Sequence, residues 1–537
     1  MMKLTREGLK DREKWIAAGY SLPEFDREKV MENTKKAPEW IHFGVGNIFR
    51  AYQCNLAQKL LDCGKSDKGI TAVEGYDYEI IEKLNRPYDD YSILVTLKSD
   101  GTVEKKVVGS IMESLTLDSE NESEFSRLKE IFASESLKMA SFTITEKGYS
   151  LTDGKGRMLD AVAADLENGP SKPVSYIGKV SSLLYTRYKS SATPIAMVSM
   201  DNCSHNGDKL SAAVKAFAEG WCERGLADKG FADYVSNPSK VSFPWTMIDK
   251  ITPRPDPSVY EILCADGVSG LEQTVTSKNT YIAPFVNAEE CEYLVIEDSF
   301  PNGRPPLDAA GVIFTDRETV DKVEKMKVCT CLNPLHTTLA VFGCLLGYKL
   351  ISEEMKNKAL LKLVEGIGFN EGLPVVVDPG IISPEKFIKE VLYVRIPNPF
   401  MPDTPQRIAT DTSQKLAVRF GETTKAYIES DSLKVSSLKL IPLVFAGWIR
   451  YLMGIDDKGV PFELSPDPLL PGVAEYVRDI KLGDRVDSSK FEALYKNKKI
   501  FGVDLFEAGL AEKVTEYFNE LIAGPGAVLN TIQKYTL

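Results

Sequence analysis

The sequence predicts an α/β domain with an open, mainly parallel sheet, followed by a mainly α-helical domain. Three observations support this fold class. The chain has 537 residues, which is too many for one typical hydrophobic core, so we expect two domains. Between residues 40 and 210, strand-like apolar runs alternate with helical patterns, which is typical of a sheet covered by helices on both faces. Helical patterns predominate from about Asp316 onwards, so we divide the chain into residues 1–316 and 317–537.

The first domain begins with the pattern of a strand, a glycine turn and a helix. Trp40–Phe43 is the predicted strand, and residues 48–61 have helical apolar spacing that stops at Cys63-Gly64. Further strands are predicted in GITAVEGYD, in YSILVTLKSDGTVEKKVVGSI (two strands joined at Asp100-Gly101), in KMASFTITEKGYSL and in ATPIAMVSMDNCSHNG. The stretch VSYIGKVSSLLYTRYKSS, between the last two, predicts a helix.

The second domain shows helical periodicity in one segment after another. The predicted helices are RETVDKVEKMKV, HTTLAVFGCLLGYKLI, EEMKNKALLKLVEGIGF, SPEKFIKEVLYVR, SLKLIPLVFAGWIRYLMG and GLAEKVTEYFNELIAGPGAVLNTIQKYTL. Proline-rich pieces such as IPNPFMPDTPQ lie between them and predict ordered loops. We therefore expect this domain to be built from packed helices.

Charge and cysteine usage narrow the possible functions. The chain has 65 Lys and Arg against 77 Asp and Glu, and its net charge is −12, so we expect binding neither to nucleic acid nor to an anionic membrane surface. Nine scattered cysteines without a CxxC pair, with only three histidines, show no zinc pattern and favour reduced thiols in the cytoplasm. The charged N-terminus lacks the apolar core of a secretory signal, and no apolar run reaches the ~18 residues of a membrane span.

The stretch HFGVGNIFRA is the first candidate site. Gly44 and Gly46 stand where the strand turns into the helix, and glycines there let a pyrophosphate approach the backbone N–H groups. Phe49 occupies the third position of the G-x-G-x-x-G pattern, so an ordinary glycine turn is the alternative. Glu74 ends the next strand, where a carboxylate would bind the adenosine ribose and favour NAD over NADP, and Asp77 could share that role.

The stretch MKVCTCLNPLHTTLAVFGCLLGY is the second candidate site. In the structural interpretation, Asn333 caps a helix that Pro334 begins, and His336 is only a residue of its first turn. In the functional interpretation, the helix dipole disfavours the cationic form of His336, and the neutral imidazole binds a substrate oxygen. Lys327, just before the predicted helix, would be a general base if burial favours its neutral form.

Three other stretches carry polar residues next to predicted strands or loops. Asp201 and Asn202 end an apolar strand in VSMDNCSHNG, where they are either turn formers or ligand contacts. The other two stretches are FPWTMIDKITPRP and NPFMPDTPQRIATDTSQK. In the latter, Arg407 and Lys415 could line a pocket, although composition alone favours solvated surface charges.

Taken together and in order, these stretches resemble the polyol-specific long-chain dehydrogenases of the mannitol dehydrogenase family. The resemblance covers about residues 40 to 450, and TITEKGY, FPWTMIDKITP and DTSQK look like family signatures. It implies an N-terminal Rossmann-type domain, a helical C-terminal domain, an active site between them, NAD as cofactor and no metal. It also implies reversible hydride transfer between the nicotinamide and the secondary alcohol carbon of a small sugar acid or polyol.

The resemblance also assigns roles to residues. Lys327 resembles the general base, Asn202 and Asn333 the amide pair that stabilises the reacting oxygen, His336 the substrate-orienting histidine and Glu324 a gate of the proton path. Substrate contacts would come from Asp249, Arg407 and Lys415. Cofactor contacts would come from Gly44, Gly46, Asn47, Ile48, Phe49, Arg50, Glu74, Thr145 and Glu146.

One departure from the family pattern lies in VCTCL, where the family places its asparagine one residue closer to the lysine. A bulge before the helix would keep Lys327 in the site, whereas a regular helix would not. The chain is most similar to the fructuronate reductase branch, which interconverts a keto-hexuronate and an aldonate, with mannitol 2-dehydrogenase and tagaturonate reductase as alternatives. A catalytically silent dinucleotide-binding protein is the alternative of another class.

Overall fold

The computed structural model describes residues 1–401 and 403–537. The chain forms two compact units. The first consists of residues Met1–Lys98 and Thr102–Asp321, and the second consists of Ser99–Gly101 and Lys322–Leu537. Each unit is described separately below.

The strands lie in the first unit. They are β1 Met2–Lys3, β2 Tyr20–Ser21, β3 Trp40–Phe43, β4 Ile70–Glu74, β5 Ser92–Leu97, β6 Val103–Val108, β7 Ile111–Thr116, β8 Met139–Phe142, β9 Ile195–Ser199, β10 Val241–Ser242, β11 Thr246–Asp249, β12 Val268–Ser269, β13 Thr274–Val275, β14 Tyr281–Ile282, β15 Phe285–Glu289, β16 Tyr293–Glu297 and β17 Ile313–Thr315. Its helices are α1 Arg12–Ala17, α2 Arg27–Lys36, α3 Cys54–Asp62, α4 Glu122–Ala133, α5 Asp160–Asn168, α6 Tyr176–Ser190, α7 Asn206–Glu223, α8 Gly230–Ser236 and α9 Pro257–Ala265.

A parallel sheet forms the centre of this unit. Within the described residues it has six strands in the order β7-β4-β3-β8-β9-β10, and every neighbouring pair is parallel. Numbered along the chain, this is the 3-2-1-4-5-6 order of the Rossmann fold. The structure therefore confirms the predicted Rossmann-type domain, including the strand–turn–helix at Trp40–Phe43.

Helices cover both faces of the sheet, which explains why its strands are apolar on both sides. Ile41 and Phe43 of β3 pack into one core with residues of α4, α6 and α7. Trp40 packs into a second core with residues of α3. Successive side chains of a strand point to opposite faces, so a strand buried on both faces needs apolar residues without alternation.

Smaller sheets extend the unit. β5 and β6 form the predicted antiparallel hairpin around Asp100-Gly101, and they belong to a sheet ordered β15-β5-β6-β2.

Strand β7, which occupies one edge of the central sheet, was not predicted from the sequence. Its residues Glu113 and Ser114 are partly exposed at that edge, and they interrupt the apolar run that signals a buried strand.

The second unit is helical, as predicted. Helix α10 Arg317–Lys325 begins at the end of the first unit. The remaining helices are α11 Asn333–Leu346, α12 Ile351–Glu354, α13 Lys358–Glu365, α14 Pro384–Glu390, α15 Pro405–Ile408, α16 Thr412–Leu416, α17 Glu422–Glu429, α18 Leu440–Tyr451, α19 Leu470–Val473, α20 Glu492–Tyr495, α21 Lys498–Phe501, α22 Ala511–Leu521 and α23 Ala527–Thr536. Helices α11 and α18 are buried over most of their length and pack against each other.

Several of these helices contain wider π-helical turns, which the periodicity did not predict. Those of the second unit are Met326–Cys331, Gly366–Gly372, Val391–Arg395 and Ala417–Gly421. A π turn accommodates an additional residue within a helix and occurs often at functional sites. The helix predicted for residues 353–369 is accordingly divided into α12, α13 and the π turn Gly366–Gly372.

One helical stretch in the described part of the chain, Arg317–Leu346, is long and apolar enough to cross a membrane by length and composition alone. In the structure, 78% of its most apolar window is buried inside the protein. This is what a core helix requires, so the stretch is weak evidence for a membrane span.

Candidate active site

A cavity of about 660 Å³ opens at the carboxyl edge of the parallel sheet. Gly44 follows β3, Glu74 ends β4, and Thr143 follows β8, so the cavity lies where the chain leaves three adjacent strands. β3 is the strand from which the sheet extends in both directions, first to β4 and later to β8. Ligands of open α/β sheets bind at this switch point.

The two predicted glycines shape the floor of the cavity. Gly44 has φ +101°, and a Cβ atom there would lie 2.2 Å from the carbonyl oxygen of Thr143. Any larger residue would push the loop after β8 away. Gly46 has no atom within 4 Å of the position a Cβ would take, and it is exposed to the cavity. The backbone around Gly46 is therefore open to a ligand at the start of the following helix.

Glu74 supports this glycine turn. One carboxylate oxygen accepts a hydrogen bond from the Val45 N–H at 2.8 Å, and the other accepts from Tyr76 N–H at 2.8 Å and Asp77 N–H at 3.1 Å. Burial raises the pKa of Glu74, and the three backbone donors oppose that shift. Glu74 thus ties the turn after β3 to the turn after β4, a role the sequence analysis did not foresee. Its predicted contact with the ribose stays a prediction.

Two of the predicted cofactor residues, Phe49 and Arg50, point into the protein. Arg50 is buried and donates hydrogen bonds of 2.8 Å to the Ala283 carbonyl and to Asn47 Oδ1. Phe49 stacks on His42 with ring centroids 4.1 Å apart. These side chains hold the turn in place, so any contact of theirs with a cofactor would come from the backbone. In place of the third glycine, Phe49 fills the space between helix and sheet.

A second cavity of about 310 Å³ lies in the same unit and brings four predicted residues together. Its walls include Ile48, Thr145, Glu146 and Asn202. Thr145 also lines the first cavity, so the two cavities share a wall. Asn202, predicted to hold the reacting oxygen, therefore lies next to the loop that borders the predicted cofactor pocket.

Asp201 organises this wall, and of the two roles left open by its sequence position, turn former or ligand contact, the structure shows that it supports a turn. Its carboxylate accepts hydrogen bonds from Ile144 N–H at 2.9 Å, Thr145 N–H at 2.8 Å and the Tyr149 hydroxyl at 2.5 Å. Thr145 has φ 65°, a backbone conformation that is costly for a β-branched residue and is maintained only by surrounding contacts. Asp201 thus holds the TITEKGY loop in a strained shape. Its position beside Asn202 was the available signal.

Asp249 ends β11 and is buried. Its neighbours Ile248 and Lys250 line the second cavity. Lys250 donates a 2.6 Å hydrogen bond to the Glu289 carbonyl and a longer one to Glu292. The structure therefore places the FPWTMIDKITP signature beside Asn202, as a substrate-binding role would require.

The additional residue between Lys327 and Asn333 lies within a helical segment of the second unit. Lys327 lies on the π turn Met326–Cys331, and its carbonyl accepts a 3.1 Å hydrogen bond from the Leu332 N–H, five residues later. The bulge therefore exists, but it lies within a helix rather than before one. The interpretation of Asn333 as N-cap was wrong, because Leu332 holds that position and Asn333 is already the first residue of α11.

The four proposed catalytic residues lie at intervals of three or six residues along this helical segment. Lys327 is buried, with 4% of its surface exposed, while Asn333 and His336 are half-buried and lie three residues apart. Residues three apart share a helix face. Glu324 is half-buried and also lies three residues from Lys327. The Asn333 carbonyl accepts a 2.9 Å hydrogen bond from the Thr337 hydroxyl, which secures the first turn of α11.

The two predicted substrate cations have different surroundings. Arg407 is exposed and forms an ion pair with Asp403 at 2.6 Å from its Nε. Lys415 is half-buried and donates hydrogen bonds to the carbonyls of Ile408 and Thr410. Burial, followed by the charge of Arg419, lowers the pKa of Lys415. Lys415 is therefore the more enclosed of the two cations.

Two further groups, Tyr176 and Arg419, were not predicted from the sequence. Tyr176 lines the first cavity, and its hydroxyl is buried and has no hydrogen-bond partner within the described residues. Tyr176 begins α6, so the signal was its place at the start of a helix. Arg419, four residues after Lys415, donates a hydrogen bond to the Thr337 hydroxyl. The sequence clue to Arg419 was its helical spacing of four residues from Lys415 in DTSQKLAVRF.

The strand order and the cavity at its switch point define a Rossmann-type dinucleotide-binding protein, and comparison with known proteins identifies its family. Residues 38–309 match the mannitol dehydrogenase Rossmann domain, and residues 319–522 match the mannitol dehydrogenase C-terminal domain. The chain belongs to the mannitol dehydrogenase family.

Individual relatives agree with this result. A D-mannonate oxidoreductase of Thermotoga maritima is 53% identical over 536 residues, which cover 99% of both chains. A D-mannonate oxidoreductase of Escherichia coli (strain K12) is 28% identical over 90% of this chain and 92% of its own. A solved structure of Pseudomonas fluorescens mannitol 2-dehydrogenase, in a ternary complex with NAD and D-mannitol, is 25% identical, covers 99% of both chains and superposes with a TM-score of 0.68.

Proposed function

We propose that this protein is an NAD-dependent oxidoreductase that interconverts D-mannonate and the keto-hexuronate D-fructuronate in the cytoplasm. The observation that carries the proposal is the 53% identity to the D-mannonate oxidoreductase of Thermotoga maritima, which extends over 99% of both chains. This identity extends over both domains of the chain, because it covers the chain from end to end. The resemblance found in the sequence favours the same branch.

The first cavity has the features that NAD needs. The open backbone at Gly46 suits the pyrophosphate, and the unpartnered hydroxyl of Tyr176 offers a hydrogen bond to a ligand. Apolar residues such as Ile80, Val162 and Ile177 provide walls for an adenine ring. When bound, NAD supplies the nicotinamide C4 that accepts or returns a hydride.

We assign the proton chemistry to Lys327. During oxidation, the neutral amine of Lys327 takes the proton of the substrate hydroxyl. At the same time, the carbon atom that carries this hydroxyl transfers a hydride to the nicotinamide. During reduction, the ammonium group returns that proton to the carbonyl oxygen. The amides of Asn202 and Asn333 donate hydrogen bonds to this oxygen and stabilise its developing negative charge. His336 orients the substrate, and Glu324 passes protons between Lys327 and solvent.

The test is oxidation of NADH at neutral pH, with D-fructuronate, D-tagaturonate and D-fructose assayed in parallel. We expect the largest kcat/KM for D-fructuronate. A preference for D-fructose would assign the protein to the polyol branch with the same catalytic residues, and a preference for D-tagaturonate would assign it to the other uronate branch. NADH binding without turnover of any of the three would contradict the proposed reaction and favour a silent dinucleotide-binding protein.

A further inference from the structure

A cation that the proposed mechanism does not use lies next to the helix of Lys327. Arg419 is part of the π turn Ala417–Gly421, which packs against the π turn Met326–Cys331 that carries the lysine. The guanidinium of Arg419 donates a hydrogen bond to the hydroxyl of Thr337. Thr337 is fully buried and follows His336 directly in the chain. Arg419 is thus anchored to the helix that carries His336, and its π turn packs against the π turn that carries Lys327.

The surroundings of Arg419 lack a compensating negative charge. Burial lowers the pKa of Arg419 to about 10, and within the described residues no carboxylate opposes that shift. The side chain remains protonated at neutral pH. Lys415 lies one helical turn earlier, where two like charges repel each other. Asp411 and Asp467 partly compensate the charge of Lys415, but not that of Arg419. A partly desolvated cation without a counter-ion destabilises a fold, so stability alone does not account for Arg419.

A ligand with a carboxylate would supply the missing charge. We propose that Arg419, together with Lys415, binds the carboxylate of the sugar-acid substrate and thereby selects a keto-uronate over an uncharged ketose. A guanidinium binds a carboxylate through two parallel hydrogen bonds, which gives both affinity and orientation. Arg407 is less suited to this role because its exposed guanidinium already pairs with Asp403. The inference rests on the proposed function, since it assigns one group of that substrate.

The experiment uses the full-length enzyme and the variants Arg419→Met and Arg419→Lys. For Arg419→Met we expect KM for D-fructuronate to rise about tenfold to a hundredfold, with kcat changed only a few-fold, because one bidentate charged contact is lost. Arg419→Lys keeps the charge but not the planar fork, so its effect should be intermediate. Calorimetry on the NADH-saturated enzyme, which cannot oxidise either alcohol, should show a matching loss of D-mannonate affinity and unchanged affinity for D-mannitol.

The control is Arg478→Met, which removes an exposed arginine paired with Glu475 in the same unit. It should leave all these constants unchanged. Equal losses of D-mannonate and D-mannitol affinity in Arg419→Met would overturn the proposal and make Arg419 a support for Thr337. Unchanged D-mannonate affinity in both Arg419 variants would overturn it as well.

The calorimetric measurement separates this inference from the proposed function. If the wild-type enzyme reduces no keto-uronate, the proposed reaction fails, but binding can still be compared. Tighter binding of D-mannonate than of D-mannitol, with the difference abolished in Arg419→Met, would support the carboxylate site even then. Equal affinity of the wild-type enzyme for the two ligands would refute it.

Discussion

Replacing Glu354 by methionine is expected to stabilise the protein at neutral and alkaline pH. Glu354 ends α12, is fully buried, and neither of its carboxyl oxygens has a hydrogen-bond partner within the described residues. The carboxyl group lies against Gly343 of α11, where an added Cβ would be 2.1 Å from Glu354 Oε1. Burial raises the pKa of Glu354 from 4.5 to about 9. The native protein therefore keeps this carboxyl group protonated across the physiological range.

The magnitude follows from proton linkage. Between the ordinary pKa of 4.5 and the native value of about 9, the unfolded chain releases the proton while the folded chain retains it. The free energy of unfolding then falls by about 1.4 kcal/mol for each pH unit in this window. At pH 7.5, about 3 units above the ordinary value, the accumulated cost is on the order of 4 kcal/mol. Methionine has a similar length and no charge, so it removes this cost and fills the same space.

Denaturant unfolding of the wild-type protein and of Glu354→Met at pH 5.5, 7.0 and 8.5 tests this reasoning. The advantage of the variant should increase with pH by about 1.4 kcal/mol per unit and nearly vanish towards pH 4.5. The control is Glu353→Met, which changes the exposed neighbour that pairs with Lys356 and should show no such slope. A pH-independent advantage, or a loss of stability that grows with pH, would show that Glu354 is ionised in the folded protein and would refute the reasoning.

Three further predictions concern Lys327, the loop that Asp201 supports and the buried residue Arg187. Lys327→Ala should lose most of its turnover yet bind NADH as the wild-type enzyme does in a fluorescence titration, and unchanged turnover would contradict the assignment of the base. Asp201→Asn replaces one accepting oxygen by an N–H donor facing the Ile144 and Thr145 amides, so NADH affinity should fall about tenfold, whereas unchanged affinity would mean that the strained loop does not contact the cofactor. Arg187→Lys should lower the free energy of unfolding by about 3–5 kcal/mol. The reason is that the buried guanidinium bonds to five backbone carbonyls that a lysine cannot reach together. A melting temperature within about one degree of the wild-type value would contradict this prediction.

Local patterns in the sequence were sufficient for most of the fold. Trp40–Phe43 is buried at every position because helices cover both of its faces. Three of its four residues, Trp40, Ile41 and Phe43, are apolar, and that pattern can be read without a structure. Residues 176–190 carry a helical pattern and form α6 as predicted. β7 was missed because its position at the sheet edge tolerates Glu113 and Ser114, and this position depends on pairing with the distant β4. Non-local pairing of this kind leaves no local signal.

The candidate site was predictable where backbone geometry demands a residue type, and not where a side chain supports a distant turn. Gly44 is required by its φ of +101° and by the nearby Thr143 carbonyl, so the glycine motif was informative. The carboxylate of Glu74 instead bonds to an amide twenty-nine residues earlier in the chain, and that of Asp201 to amides fifty-six and fifty-seven residues earlier. Such bonds depend on the assembled sheet, so the sequence showed only that acidic residues end two strands.

The π turn at Lys327 accommodates the additional residue of this chain without interrupting the helix. In a regular α-helix, one residue inserted before Asn333 would rotate Asn333 and His336 by about 100° relative to Lys327. The π turn Met326–Cys331 absorbs a residue by widening the helix locally, so the segments before and after it can each keep their own buried face. The π turns Gly366–Gly372 and Ala417–Gly421 pack against it. Three widened helical segments therefore pack together at the turn that carries Lys327.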